Sequence, residues 1–174
     1  EGEAGTFLWA VDYGNGTYVA VGNGLGSGLI LTSTDAVNWT MASDGLSIPG
    51  LRDVIFVETD AHSGEGYFIA VGGVPATGGN AVVLRSSNGT SWSSPGSTGV
   101  SKNLHFVAYD PDGGVNGTLI SGGWEGVLTT STNLGVTWVP MDSGTSCHLH
   151  DGACGNGVIT IVSSNSTAGG DIDI

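Results

Sequence analysis

Four residues that each follow a recurring leucine carry the side-chain types of a recognition site: Trp9, Arg52, His105 and His150. Indole and imidazole rings stack on sugars, guanidinium and imidazole groups donate hydrogen bonds, and imidazole changes charge close to neutral pH. This column is the candidate ligand-binding site, although side chains at such positions also become partly buried simply where units abut. One residue further on, Asp53 and Asp151 occupy equivalent positions. Two carboxyl groups about 5 to 9 Å apart are what acid-assisted cleavage of a glycosidic bond requires. Polar capping of inner strands is the simpler account, so no catalytic residue is assigned.

Other candidate chemistry is thinner. CHLHDGAC holds Cys147, His148, His150 and Cys154. An extended strand would carry the two cysteines some 23 Å apart, while a disulfide tolerates α-carbons about 4.4 to 6.8 Å apart, so a bridge needs the segment to fold back. Free thiols, a bridge and a metal site stay open; the spacing matches no familiar zinc pattern, and no metal or cofactor is expected. DPDGGVNG, 110 to 117, lacks the terminal glutamate of a calcium loop and reads as a turn.

These residues sit on a repeat. The opening leucines Leu8, Leu51, Leu104 and Leu149 are spaced by 43, 53 and 45 residues. Each unit divides into short β-prone runs separated by Gly, Asn, Asp and Ser. The second run (YVAV, YFIAV, TLIS, VITIV) is almost continuously apolar, as a strand buried on both faces would be. Glycines follow it, at Gly22, Gly72, Gly73, Gly122 and Gly123, where φ is positive or backbone crowds. No helical periodicity of useful length occurs. The expected fold is all-β: four-stranded antiparallel units over 8–50, 51–103, 104–148 and 149–174 in one domain, 1–174. Units apolar on both faces need neighbours on both faces, which a β-propeller supplies.

The third run of three units ends in a common phrase: STDAVNW from Ser33, SSNGTSW from Ser86 and STNLGVTW from Ser131. Asp or Asn in a hairpin loop accepts backbone N–H groups two residues on, the Ser hydroxyl adds a second acceptor, and Trp closes over the turn. Three copies of this pattern resemble the Asp-box, or BNR, repeats of sialidase-like and sortilin-like propellers. Ala36 departs from the pattern where Gly is expected. The resemblance implies a structural turn on the outer rim. It also implies that a sialidase would need three arginines at the axis; this chain has only Arg52 and Arg85, and Arg85 lies on a third strand next to a turn.

The net charge of −13, from 16 acidic residues against three Lys and Arg, repels nucleic acid and anionic membranes. No apolar run is long enough to span a bilayer, and the first residues, EGEAGTF, carry neither the charged n-region nor the apolar h-region of a signal peptide. With no initial Met, the chain reads as a processed product or a piece of something longer. Low charge with abundant Gly and Thr points to a non-enzymatic module of an extracellular or virion surface, acting in adhesion, binding or particle assembly. A carbohydrate-binding or carbohydrate-cleaving propeller is the alternative. Five sequons, at Asn15, Asn38, Asn88, Asn116 and Asn165, would accept N-glycans in a eukaryotic source, though three read NGT, which hairpin turns favour in any case. Because a fourth unit breaks off at GGDIDI, an open sheet edge is expected, inviting other protein chains or self-association, with glycans as further partners.

Overall fold

Four antiparallel sheets succeed one another along the chain in the computed structural model, which describes residues 5–24, 26–43, 47–59, 65–73, 81–164 and 172–173. The first sheet runs β1 (Phe7–Gly14), β2 (Thr17–Gly24), β3 (Ser27–Ser33), β4 (Thr40–Met41) in that order. The second is β5 (Leu51–Glu58), β6 (Gly66–Gly73), β7 (Ala81–Ser86). Its fourth strand is reduced to one bridge, Arg85 with Ser93. The third is β8 (Leu104–Asp110), β9 (Thr118–Gly123), β10 (Leu128–Ser131), β11 (Val139–Met141). The fourth is β12 (His148–Gly155), β13 (Val158–Ser164), β14 (Ile172–Asp173), the last a two-residue stub in the GGDIDI segment where the fourth unit breaks off. Asn-Gly turns with both residues at positive φ join β1 to β2 (Asn15, Gly16) and β12 to β13 (Asn156, Gly157), the geometry that suits the twist of a tight hairpin.

The first strands pack side by side in chain order, β1 beside β5, β5 beside β8 and β8 beside β12. Between consecutive sheets lie three apolar layers. Val19, Val21 and Ile30 meet Leu51, Val54 and Phe68. Ile69, Val71 and Val83 meet Leu104, Val107 and Trp138. Phe106, Ile120 and Leu128 meet Leu149. Polar staples cross the same seams. Asp12 accepts the Phe56 backbone N–H at 2.6 Å, and Asp53 accepts that of Val107 at 2.8 Å. Arg85 donates Nε–H to the Leu134 carbonyl at 2.9 Å while its guanidinium lies over Tyr67, which places it away from the first strands as the sequence implied.

The two ends of the array are uncovered. Leu8 is 52% exposed, whereas its counterparts Leu51 and Leu104 are fully buried. At the other end Val162 is 37% exposed against 0% for Val21 and Val71. Each end therefore shows the apolar face that, inside the array, receives a neighbouring sheet.

The repeated Ser-Asx-Trp turns share one bonding pattern. Asp35 accepts the N–H groups of Val37 and Asn38, Asn88 those of Thr90 and Ser91, and Asn133 that of Thr137. Each indole N–H then donates to a backbone carbonyl three residues earlier: Trp39 to Ala36, Trp92 to Gly89, Trp138 to Gly135. Gly89 and Gly135 have positive φ, and Ala36 is forced into the same region at 59°. Left-handed backbone costs an L-residue roughly 1–2 kcal/mol, while glycine at that site loses more chain entropy on folding, about 0.4–1 kcal/mol. Ala36→Gly is thus expected to stabilise the fold by about 0.5–1 kcal/mol, read as a higher urea midpoint at unchanged slope; a lower midpoint would contradict the assignment of strain.

Both cysteines are free and half-buried, Cys147 just ahead of β12 and Cys154 near its far end, so the extended strand keeps them apart. The sequon at Asn165 and most of the loop 58–66 lie outside the described residues.

Candidate functional site

Pairing between each first strand and its neighbour slips by one residue just after the leucine. The slip falls between Leu8 and Ala10, Leu51 and Asp53, Leu104 and Phe106, and Leu149 and Asp151. The residues left without a partner are Trp9, Arg52, His105 and His150, the whole sequence-derived column. A bulge frees one residue from the ladder and re-aims its side chain, and the chain does so four times at one level. The glycines opposite follow from this. A Cβ at Gly22, Gly72 or Gly123 would strike the carbonyl of Phe7, Gly50 or Asn103, the residue before each bulged leucine.

The four side chains form two stacks. Arg52 spreads its guanidinium over the exposed Trp9 ring, 4.6 Å from the centroid, joining the first two units. His105 and His150 stack at 5.8 Å and 23°, joining the last two. Two residues absent from the sequence-derived set complete the cluster. Trp124, in a 3-10 turn between β9 and β10, meets His105 edge-on at 6.1 Å and packs on His148 at 4.1 Å. The Glu125 N–H donates to His148 Nδ1 at 2.9 Å, so the His148 ring presents Nε2–H as a donor. Glu125 is also paired with Lys102 at 2.9 Å. The sequence signal for Trp124 was slight: a bulky residue after the paired glycines of one unit alone.

His105 shares a proton with the Leu149 carbonyl through Nδ1, 3.1 Å. A carbonyl only accepts, so the proton is on Nδ1 and the neutral ring keeps an Nε2 lone pair. Burial holds its pKa down at about 4, helped by the charges of Arg52 and His150. His150 Nε2 meets the Ser164 hydroxyl.

Asp53 stands next to this cluster on β5. Both its oxygens accept backbone N–H groups, from Val54 and Val107, each at 2.8 Å, which favours the ionised form. Burial outweighs them and raises its pKa to about 6, with the negative charges of Asp151 and Asp12 adding to the rise. Asp151 is exposed and accepts the Gly152 N–H. Among the described residues no group of three His, Cys, Asp or Glu is arranged to hold a metal. At the opposite ends of the first strands, a cavity of about 460 Å³ is lined by Asp12, Tyr13, Phe56, Glu58, Tyr109 and neighbours, without a cationic donor among its described residues.

Solved structures share this succession of sheets about adjoining first strands. A glycosyl hydrolase from Bacteroides ovatus superposes with a TM-score of 0.55 at 15% identity, covering 91% of this chain and 60% of that one. The fold is a β-propeller. An arabinanase from Bacillus subtilis superposes on this propeller with a TM-score of 0.51 at 17% identity over 93% of this chain and 67% of its own. YCF48, solved with a D1 peptide bound, does so with a TM-score of 0.54 at 14% identity over 96% of this chain and 52% of its own. Against the glycosyl hydrolase the chain spans about three-fifths of the length, so it presents a partial propeller. No protein-family model matches the chain. A search of curated proteins finds no match either.

The neighbours correct one expectation. The chain was read as non-enzymatic, yet the propellers it superposes on are mostly named as glycosidases or phosphorylases, among them one whose description places mannoside phosphorylases with hydrolases of β-1,2 mannosidic linkages. Nothing in them supports assembly on a surface or virus particle, whereas the carbohydrate alternative gains. At these identities the likeness establishes fold alone.

Proposed function

We propose that this chain forms part of a carbohydrate-active propeller, in which the bulged residues bind a glycan at the axial mouth and Asp53 donates the proton to the glycosidic oxygen. The observation that carries it is a half-buried carboxyl, raised to about 6, beside a mouth lined with indole, imidazole and guanidinium groups. A general acid works best when its pKa lies close to the working pH. Asp151, on β12 and separated from β5 by β8, takes the place of the second acid, and its charge adds to the rise of the Asp53 pKa. Glycosidase neighbours support the reading at the level of fold. A panel of chromogenic glycosides at pH 5 to 6 tests it: turnover lost in Asp53→Asn is the expected result, and absence of turnover on every glycoside by folded wild-type chain counts against it.

Two finer readings accompany this one. We read the Ser-Asx-Trp turns as Asp-boxes, a reading supported by the bonding that the three share. The uncovered end faces, one carrying Leu8 and Val11 and the other Val158 and Val162, suit a further unit of the same kind or a second copy. A solution mass above the 17.4 kDa of one chain, returning to that value in Val11→Asp, is the expected outcome. A monomer at all concentrations would refute self-association.

A further inference from the structure

We infer that the axial mouth is built for a saccharide bearing a carboxylate, a uronic acid, with Arg52 as the residue that selects it. This rests on the carbohydrate reading above and narrows it to one substrate class.

The argument begins with where the cations go. The chain has 16 acidic residues and three Lys and Arg, so each cation has an abundance of carboxylates to pair with. Lys102 does so, with Glu125. Arg85 is committed to the Leu134 carbonyl and the Tyr67 ring. Arg52 alone, among the described residues, meets neither a carboxylate nor a carbonyl; its partner is the face of Trp9. A guanidinium whose partner among the described residues is a ring face keeps its N–H fork unused, and such a fork matches a carboxylate through two parallel hydrogen bonds. The indole also removes much of the side chain's freedom in advance, so less ordering remains to be done on binding.

The rest of the mouth complements a sugar ring rather than a bare ion. In the next two units stand the Trp124–His148 and His105–His150 pairs, offering aromatic rings and the Nε2–H of His148. An anion on one side and a ring with hydroxyls on the other describe a uronate. The low pKa of His105 keeps that ring neutral near neutral pH, so it does not compete with the Arg52 guanidinium for the anion. Besides facing the glycan, Trp9 positions Arg52 by holding its guanidinium over the indole.

Calorimetric titration of the whole chain with galacturonate and glucuronate oligosaccharides, with their methyl esters and with a sulfated oligosaccharide is the test. The ester keeps ring and hydroxyls and removes only the charge. The free acid is expected to bind at least tenfold more tightly than its ester. Arg52→Gln should abolish that preference, so that acid and ester bind alike, and Trp9→Ala should narrow it. Equal binding of acid and ester, or an acid preference that survives Arg52→Gln, overturns the inference but leaves the carbohydrate reading standing. A sulfated sugar bound as tightly as the uronate overturns the choice of carboxylate. No binding of any saccharide overturns both readings together.

Discussion

Trp138→Ala is expected to lower the unfolding free energy by about 3–5 kcal/mol, the cost of truncating a fully packed large aromatic. Trp138 is 7% exposed and sits in the second apolar layer with Val83, Leu104 and Leu119. Its indole N–H is tied to Gly135, whose own N–H is held by the Ser131 hydroxyl, so the side chain closes both the turn and the seam between two sheets. The same replacement at Trp39, which is 36% exposed and lies over an uncovered end unit, should cost far less, with the half-buried Trp92 between them. Trp138→Phe separates the contributions: it keeps most of the apolar contact and forfeits the hydrogen bond, worth about 1 kcal/mol. Urea unfolding of the four variants measures the order. Equal losses at the three tryptophans would mean that the turns, rather than the packing between sheets, hold the indoles.

Asp53→Asn is expected to reduce glycoside turnover by about 10²- to 10⁴-fold, the usual worth of a positioned proton donor. Because the acid form is the active one, wild-type activity should fall as the pH rises through about 6. Stability provides a second readout that needs no substrate. The Asp53 pKa rises from 3.8 to about 6 on folding, so the folded chain binds this proton more tightly. Its stabilising effect is complete below pH 4 and is lost as the pH rises through about 6, a shift worth on the order of 2–3 kcal/mol at 1.36 kcal/mol per pKa unit. His105 has the opposite sign. Its pKa falls from 6.5 to about 4, so stability from the neutral ring is present above 6.5 and lost as the pH drops toward 4. The two slopes oppose one another in the wild type. Asp53→Asn should leave a stability that climbs with pH between about 4 and 6.5, and His105→Gln one that declines over the same span. Parallel profiles in the three proteins would show that neither group is perturbed by its place at the axis.

Much of the architecture is legible in the residues because it is written in short-range chemistry. Apolar second runs, Asn-Gly turns and three Ser-Asx-Trp phrases each act within a few residues, and every one of them lies where that chemistry requires. The column of Trp9, Arg52, His105 and His150 was visible because a repeat aligns its own equivalent positions. What produces the column, a bulge at one level of every first strand, depends on pairing with a neighbouring strand and has no signature in the residues themselves.

Sequence alone thus determined the unit, its turns and the column of four residues that follow the opening leucines, since local hydrogen bonding and alternation of apolar side chains act over short distances. Tertiary structure alone decided that Trp124 and His148 join them, that Arg52 lies on Trp9 with its fork free, and that Asp53 holds its proton toward neutral pH. Those outcomes depend on burial and on charges brought together from separate units, and both quantities arise only when the sheets pack about a common axis.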